Sequence, residues 1–104
     1  MRISVWPSYD RSWQETLRVA RFAEANGFDG FWYADHYMPN TGTEERADAP
    51  MMECFSVLSG LAAVTSRMRL GSLVTPTTMN HPALIANRAA TIDNISGGRL
   101  VLGM

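Results

Sequence analysis

Met68-Arg69-Leu70-Gly71-Ser72-Leu73-Val74-Thr75, stopped by Pro76 and followed at a short distance by His81-Pro82, decides the fold. The apolar, β-favouring stretch 68–75 predicts a strand that the proline ends. His81-Pro82 then opens a helix carrying Leu84, Ile85, Ala89, Ile92 and Ile95, and Gly97-Gly98 closes it. Arg99 to Met104 reads as the next strand, and the chain stops inside it. A strand, a helix and a strand in that order imply parallel pairing through a right-handed crossover.

Working towards the N-terminus, the same unit recurs. Ile3-Ser4-Val5-Trp6 is a short strand stopped by Pro7, and Ser12-Trp13-Gln14-Glu15 has the spacing of a capping box, which predicts a helix over about residues 12–26. Thr16, Val19, Ala20 and Ala23 share one side of its 3.6-residue period, while Arg11, Gln14, Arg18 and Arg21 share the other. Gly27 sits where a left-handed helix end belongs. Phe28 to Ala34 is an aromatic-rich second strand that hands over to Asp35-His36. From Tyr37 to Ala49 no period shows, so the segment reads as a long surface loop, either functional or a solvated insertion. Asp48-Ala49-Pro50 offers a cap and an early proline for a helix over Met51 to Val64 that is apolar nearly all round. The whole pattern is β-α-β-α-β-α-β, an α/β chain expected to form one domain or one piece of a domain.

Composition sets the outer limits. Of 104 residues, 46% are hydrophobic and 18% charged, the net charge is −1, and no apolar run approaches the roughly 18 residues that span a bilayer. All nine basic residues are arginines spread from Arg2 to Arg99 without a cluster, which argues against a nucleic-acid partner. Cys54 has no second cysteine to pair with, and a reducing cytoplasm fits best. The first residues read as the start of a mature domain rather than as a signal peptide. Two histidines and one cysteine in separate segments give no metal site, because a site needs at least three donors within reach. Gly97-Gly98 follows a helix and precedes a strand, the reverse of a dinucleotide loop, so it marks a helix stop. The seven methionines and three tryptophans are read as packing residues.

In parallel α/β folds, binding groups gather at the C-terminal ends of the strands. Here those ends are Trp6-Pro7-Ser8, Asp35-His36-Tyr37, Val74-Thr75-Pro76-Thr77 and Gly103-Met104. His36 is the leading candidate for chemistry, since an imidazole exchanges protons near neutral pH or donates to a group that gains charge. The alternative is a histidine that only caps a loop. His81, beside Pro82 at a helix start, reads as a turn residue rather than a ligand.

Several segments together resemble the bacterial luciferase-like family, in the branch that uses the deazaflavin coenzyme F-420. They are Ala34-Asp35-His36-Tyr37-Met38-Pro39 after an aromatic strand, Leu70 to Thr77, the helix start His81-Pro82, and Ile95-Ser96-Gly97-Gly98-Arg99-Leu100-Val101-Leu102-Gly103. The resemblance runs from Arg2 to Met104 and implies the N-terminal half of a (β/α)₈ barrel, a fold that typically takes about 250 residues. It implies an oxidoreductase or monooxygenase working by hydride transfer or oxygen chemistry at the barrel mouth. Deazaflavin coenzyme F-420 is the preferred cofactor and FMN the alternative.

By the same resemblance His36 is the catalytic residue and Asp35 contacts the cofactor. Ser72, Leu73, Val74 and Thr75 form a bulge that backs the ring, with a non-proline cis peptide at Ser72–Leu73, and Trp6 and Tyr37 wall the substrate pocket. A flat tricycle needs such an apolar support and a few polar partners at its edge, while the cofactor carries the redox chemistry. Asn40 stands where some deazaflavin dehydrogenases have a tryptophan, which argues against sugar-phosphate dehydrogenation of that kind. The contacts to the cofactor's phosphates come from later barrel segments in this family. The expected partners are a small-molecule substrate, a second copy of the chain in a homo-oligomer and, with FMN, a separate flavin reductase. The competing reading is a non-catalytic half-barrel that assembles through its open sheet edges, since unpaired edges otherwise invite aggregation.

Overall fold

A computed structural model describes residues 1–38 and 51–104. Its elements run β1 (Ser4–Val5), α1 (Trp13–Ala25), β2 (Gly30–Tyr33), α2 (Cys54–Val64), β3 (Arg69–Ser72), α3 (Pro82–Ser96) and β4 (Leu100–Val101). The strands form one parallel sheet in the order β1-β2-β3-β4, with Val5 opposite Phe31, Phe31 opposite Leu70 and Leu70 opposite Leu100. Sequential order with parallel pairing is what repeated strand–helix–strand units produce.

Alternation along the strands separates two faces. Phe31, Tyr33 and Leu70 join Ala20 and Ala23 of α1, Leu58 and Leu61 of α2, and Ile85 and Ile92 of α3 in one buried cluster. The three helices therefore cover one face of the sheet. Each fully buried large apolar side chain contributes about 1.5–3 kcal/mol. Gly30, Trp32 and Gly71 point to the opposite face, where a Cβ on Gly71 would strike the Trp32 ring and lie 2.5 Å from the Val101 carbonyl oxygen. Backbone cannot give way as a flexible side chain can. Gly71→Ala is accordingly expected to cost about 3 kcal/mol, the upper end for overpacking, and urea denaturation reads that loss directly.

Local signals place most helix ends. The Ser12 hydroxyl accepts from the Glu15 backbone and the Glu15 carboxylate accepts from the Ser12 backbone at 2.9 Å, completing the expected capping box. Gly27 and Gly97 adopt φ of +80° and +69°, left-handed values that a glycine tolerates without a Cβ penalty. His81 caps α3, its Nδ1 accepting from the Ala83 N–H at 3.2 Å, which fits a turn role.

Several boundaries differ from expectation: β1 is Ser4–Val5 rather than Ile3 to Trp6, and β2 is Gly30–Tyr33 rather than Phe28 to Ala34. α2 begins at Cys54 rather than Met51 because Glu53 caps it, accepting from the Phe55 and Ser56 N–H groups at 3.1 and 2.7 Å. The cap expected at Asp48-Ala49-Pro50, the loop from Pro39 on and Asn40 lie outside the described residues. β3 ends at Ser72 rather than Thr75: the Leu73 N–H makes the last bond to β2, at the Tyr33 carbonyl, and the Thr75 N–H turns to Gly103 instead. β4 is shorter than residues 99–104 for the same reason, its ladder ending at Val101.

At the N-terminal ends of the strands Glu24 closes the turn between α2 and β3. Its Oε1 accepts from the backbone N–H groups of Ser66, Arg67 and Met68 at 3.0, 2.7 and 3.1 Å. Partial burial pushes its pKa up, but the N–H groups of Arg67, Met68 and Ser66 and the charge of Arg99 outweigh that and hold it below the usual carboxylate value. A depressed native pKa gives stability that is present above the unfolded value of about 4.3 and is lost as pH falls through the native one. Glu24→Gln is expected to cost about 1–3 kcal/mol at pH 7. Its deficit should shrink as the pH drops below 4, which denaturation at a series of pH values measures.

Candidate functional site

Because all four strands are parallel, their C-terminal ends open on one edge of the sheet, and the candidate residues collect there. β2 delivers Asp35 and His36, and β3 delivers Leu73, Val74 and Thr75. Asp35 is only 5% exposed and Thr75 1%, and neither Asp35 Oδ2 nor Thr75 Oγ1 has a hydrogen-bond partner among the described residues. A buried polar atom without a partner is costly, of the order of 1–3 kcal/mol, and a polar ligand is one way to satisfy it. Arg11 Nε and Thr16 Oγ1, at the start of α1, are in the same condition. Burial first, then the charge of Glu53, pushes the Asp35 pKa above its usual value. The nearby Thr75 hydroxyl, Arg88 and His36 act in the opposite direction without reversing it. The hydroxyl is near enough to favour the carboxylate yet falls short of hydrogen-bond geometry.

Next to Thr75 the backbone presents an apolar shelf. Leu73 and Val74 are 41% and 49% exposed although they follow a buried strand. A non-proline cis peptide does occur here, at Leu73–Val74, one bond later than expected. The Ser72–Leu73 peptide still belongs to the ladder, since the Leu73 N–H donates to the Tyr33 carbonyl at 2.9 Å. Ser72 is buried, and its hydroxyl donates to the Gly103 carbonyl at 2.9 Å and accepts from the Gly103 N–H at 3.1 Å. Ser72 thus clamps β3 to the segment after β4, behind the shelf.

His36 is exposed, and its ring lies 4.2 Å from that of Tyr9 with a 48° tilt. Tyr9 is held in turn by Tyr33, whose hydroxyl donates to the Tyr9 carbonyl at 3.1 Å. Trp6 and Tyr37 are 57% and 51% exposed on the same edge. The Tyr37 hydroxyl accepts from Asn80 Nδ2 at 3.1 Å. Tyr9, Asn80 and the Arg88 behind it are participants that sequence reasoning passed over. Tyr9 could have been suspected as an aromatic in the segment after β1. Asn80 and Arg88 carry no local signal, because their partners lie on other elements.

The arrangement fits the ring side of a flavin or deazaflavin: an exposed apolar shelf, two unpartnered buried polar atoms beside it and an accessible imidazole. Those features support a planar ligand with a polar edge.

Residues 1–104 match the family model described as luciferase-like monooxygenase. The 5,10-methylenetetrahydromethanopterin reductase of Methanopyrus kandleri is 36% identical over 86 residues, covering 83% of this chain and 21% of that protein. The pyrimidine monooxygenase RutA of Methylorubrum extorquens is 38% identical over 98 residues, 94% of this chain and 25% of RutA. Among solved structures, the coenzyme F-420-dependent tetrahydromethanopterin reductase of Methanopyrus kandleri superposes with a TM-score of 0.82 at 30% identity. That match covers 99% of this chain and 26% of that one. The chain thus spans a fifth to a quarter of the length of these relatives.

Proposed function

The chain belongs to the luciferase-like monooxygenase family, and on that footing we propose that it supplies the ring-side wall of a flavin-type oxidoreductase. Its relatives are oxidoreductases and monooxygenases, and those compared above include an F-420-dependent reductase and a monooxygenase. Its four parallel strands and three helices correspond to the first part of the barrel fold of these enzymes. The preferred cofactor is the deazaflavin coenzyme F-420, with FMN second. The pair of unpartnered buried polar atoms, Asp35 Oδ2 and Thr75 Oγ1, beside the exposed Leu73 and Val74 carries this reading.

When bound, the cofactor supplies hydride transfer or oxygen chemistry. The chain's own residues then have distinct tasks. Leu73 and Val74 support the ring face and exclude water from it. Asp35 and Thr75 offer hydrogen-bonding groups to its polar edge, and Ser72 keeps the shelf in place through Gly103. His36 takes or gives a proton at its imidazole, in the orientation its contact with Tyr9 favours. Trp6 and Tyr37 wall the space where a small-molecule substrate lies. A homo-oligomer, a cytoplasmic location and, for the FMN case, a separate reductase complete the proposal. No helix among the described residues is long and apolar enough to cross a membrane.

The test is an absorbance and fluorescence titration of the protein, expressed from its complete reading frame, with each cofactor. Saturable binding is expected, tighter for F-420 than for FMN. Failure of both to bind overturns the proposal.

A further inference from the structure

Arg88, on the second turn of α3, has no part in the site as the sequence or the family likeness describes it. It nevertheless reaches the site along two routes. Its Nη1 donates to Asn80 Oδ1 at 3.2 Å, and Asn80 Nδ2 donates to the Tyr37 hydroxyl at 3.1 Å and to the Pro76 carbonyl at 3.5 Å. Its guanidinium carbon also sits 5.6 Å from the centre of the Phe55 ring, at the start of α2, in a groove of about 290 Å³ that Glu53 shares. A cation over an aromatic face is attracted by the ring's negative face, which favours this placement of the guanidinium.

The geometry points to Arg88 as the positioning residue of the strand-end site, fixing Tyr37 through Asn80 and bringing a positive charge into the neighbourhood of the Asp35 and Glu53 carboxyl groups. Among the described residues the ionisable groups around Asp35 are Glu53 and Cys54 from the start of α2, His36 beside it and Arg88 from α3, with the Thr75 hydroxyl from the end of β3. Of these Arg88 is the permanent cation. An arginine suits the task because its planar fork holds an amide oxygen and an aromatic face at once, which a lysine ammonium does not.

The assignment rests on the cofactor reading above, so its test uses two readouts, one of which needs no cofactor. The complete protein, labelled at the Asp carboxyl and Tyr ring carbons, is titrated by NMR as Arg88→Met, Arg88→Lys and Asn80→Ala. Arg88→Met is expected to move the Asp35 midpoint to higher pH and to shift the Tyr37 ring signal. Arg88→Lys should restore the Asp35 midpoint but not the Tyr37 signal, and Asn80→Ala should move Tyr37 alone. F-420 affinity should fall about three- to tenfold in Arg88→Met, the equivalent of one hydrogen bond. An unchanged Asp35 midpoint and Tyr37 signal in Arg88→Met overturns the assignment. If the unsubstituted protein binds neither cofactor, the cofactor reading fails instead, while the NMR titration still decides whether Arg88 positions Asp35 and Tyr37.

Discussion

His36→Ala is expected to lower turnover of the complete protein by about 10²–10⁴-fold, the range for removing a positioned proton-transfer group, with whichever substrate the unsubstituted enzyme accepts. The fold should be indifferent to the change. His36 is exposed, its ring contact is with Tyr9, and among the described residues it makes no hydrogen bond that the core depends on. Exposed substitutions of this kind usually stay within about 0.5 kcal/mol. Low turnover with unaltered denaturation therefore separates a chemical role from a structural one. Full turnover in the variant removes His36 from the mechanism and returns it to the role of a loop residue.

The largest stability effect is expected at the other end of the sheet, at Arg99. All five N–H groups of its guanidinium are used: Nε donates to the Ser96 carbonyl at 2.6 Å, Nη1 to Thr65 Oγ1 and the Met68 carbonyl at 2.9 and 2.8 Å, and Nη2 to the Ala62 and Thr65 carbonyls at 3.0 and 2.8 Å. These carbonyls belong to the C-terminal ends of α2 and α3 and to the entry of β3. Helix ends leave carbonyls without intrahelical partners, and a cation there also meets the favourable end of the helix dipole. One side chain thus satisfies two helix ends and ties them to the sheet. Arg99→Met is expected to cost about 2–4 kcal/mol, since hydrogen bonds to a charged group contribute about 1.5–3 kcal/mol each and are not additive. Arg99→Lys, with three donors in place of five, should recover less than half. Urea denaturation of the three proteins measures the series, and a loss below about 0.5 kcal/mol in Arg99→Met contradicts the role.

Arg99 also shows where sequence reading stops. The run Ser96-Gly97-Gly98-Arg99 was legible as a helix stop before a strand, because Gly97 and Gly98 carry their meaning locally in a positive φ. Ser12 and Glu15 were legible for the same reason, their contact spanning three residues. Four of the five partners of Arg99 lie on Ala62, Thr65 and Met68, more than thirty positions away, and no periodicity announces them. Glu24, reaching across to Ser66, Arg67 and Met68, belongs to the same class.

At the site the division is similar. Asp35, His36, Val74 and Thr75 were legible as strand-end residues because the pattern shows where strands stop and parallel sheets gather those ends on one edge, whereas Leu73 came from the family resemblance alone. The contacts that orient them, Tyr9 on His36 and Arg88 through Asn80 on Tyr37, join residues from different units. Register at Leu73 is set by its pairing with Tyr33, a long-range contact, and not by the local sequence.

The central claim, that the ring of a flavin-type cofactor seats against the ends of β2 and β3, is tested most directly by the dissociation constant of the cofactor for Thr75→Val. Valine keeps the shape of threonine and removes a buried hydroxyl that has no partner in the free protein. Stability should therefore be unchanged or higher. If that hydroxyl meets the cofactor's polar edge, affinity for whichever of F-420 and FMN binds should fall about three- to tenfold. An unchanged dissociation constant in a normally folded Thr75→Val protein contradicts the placement.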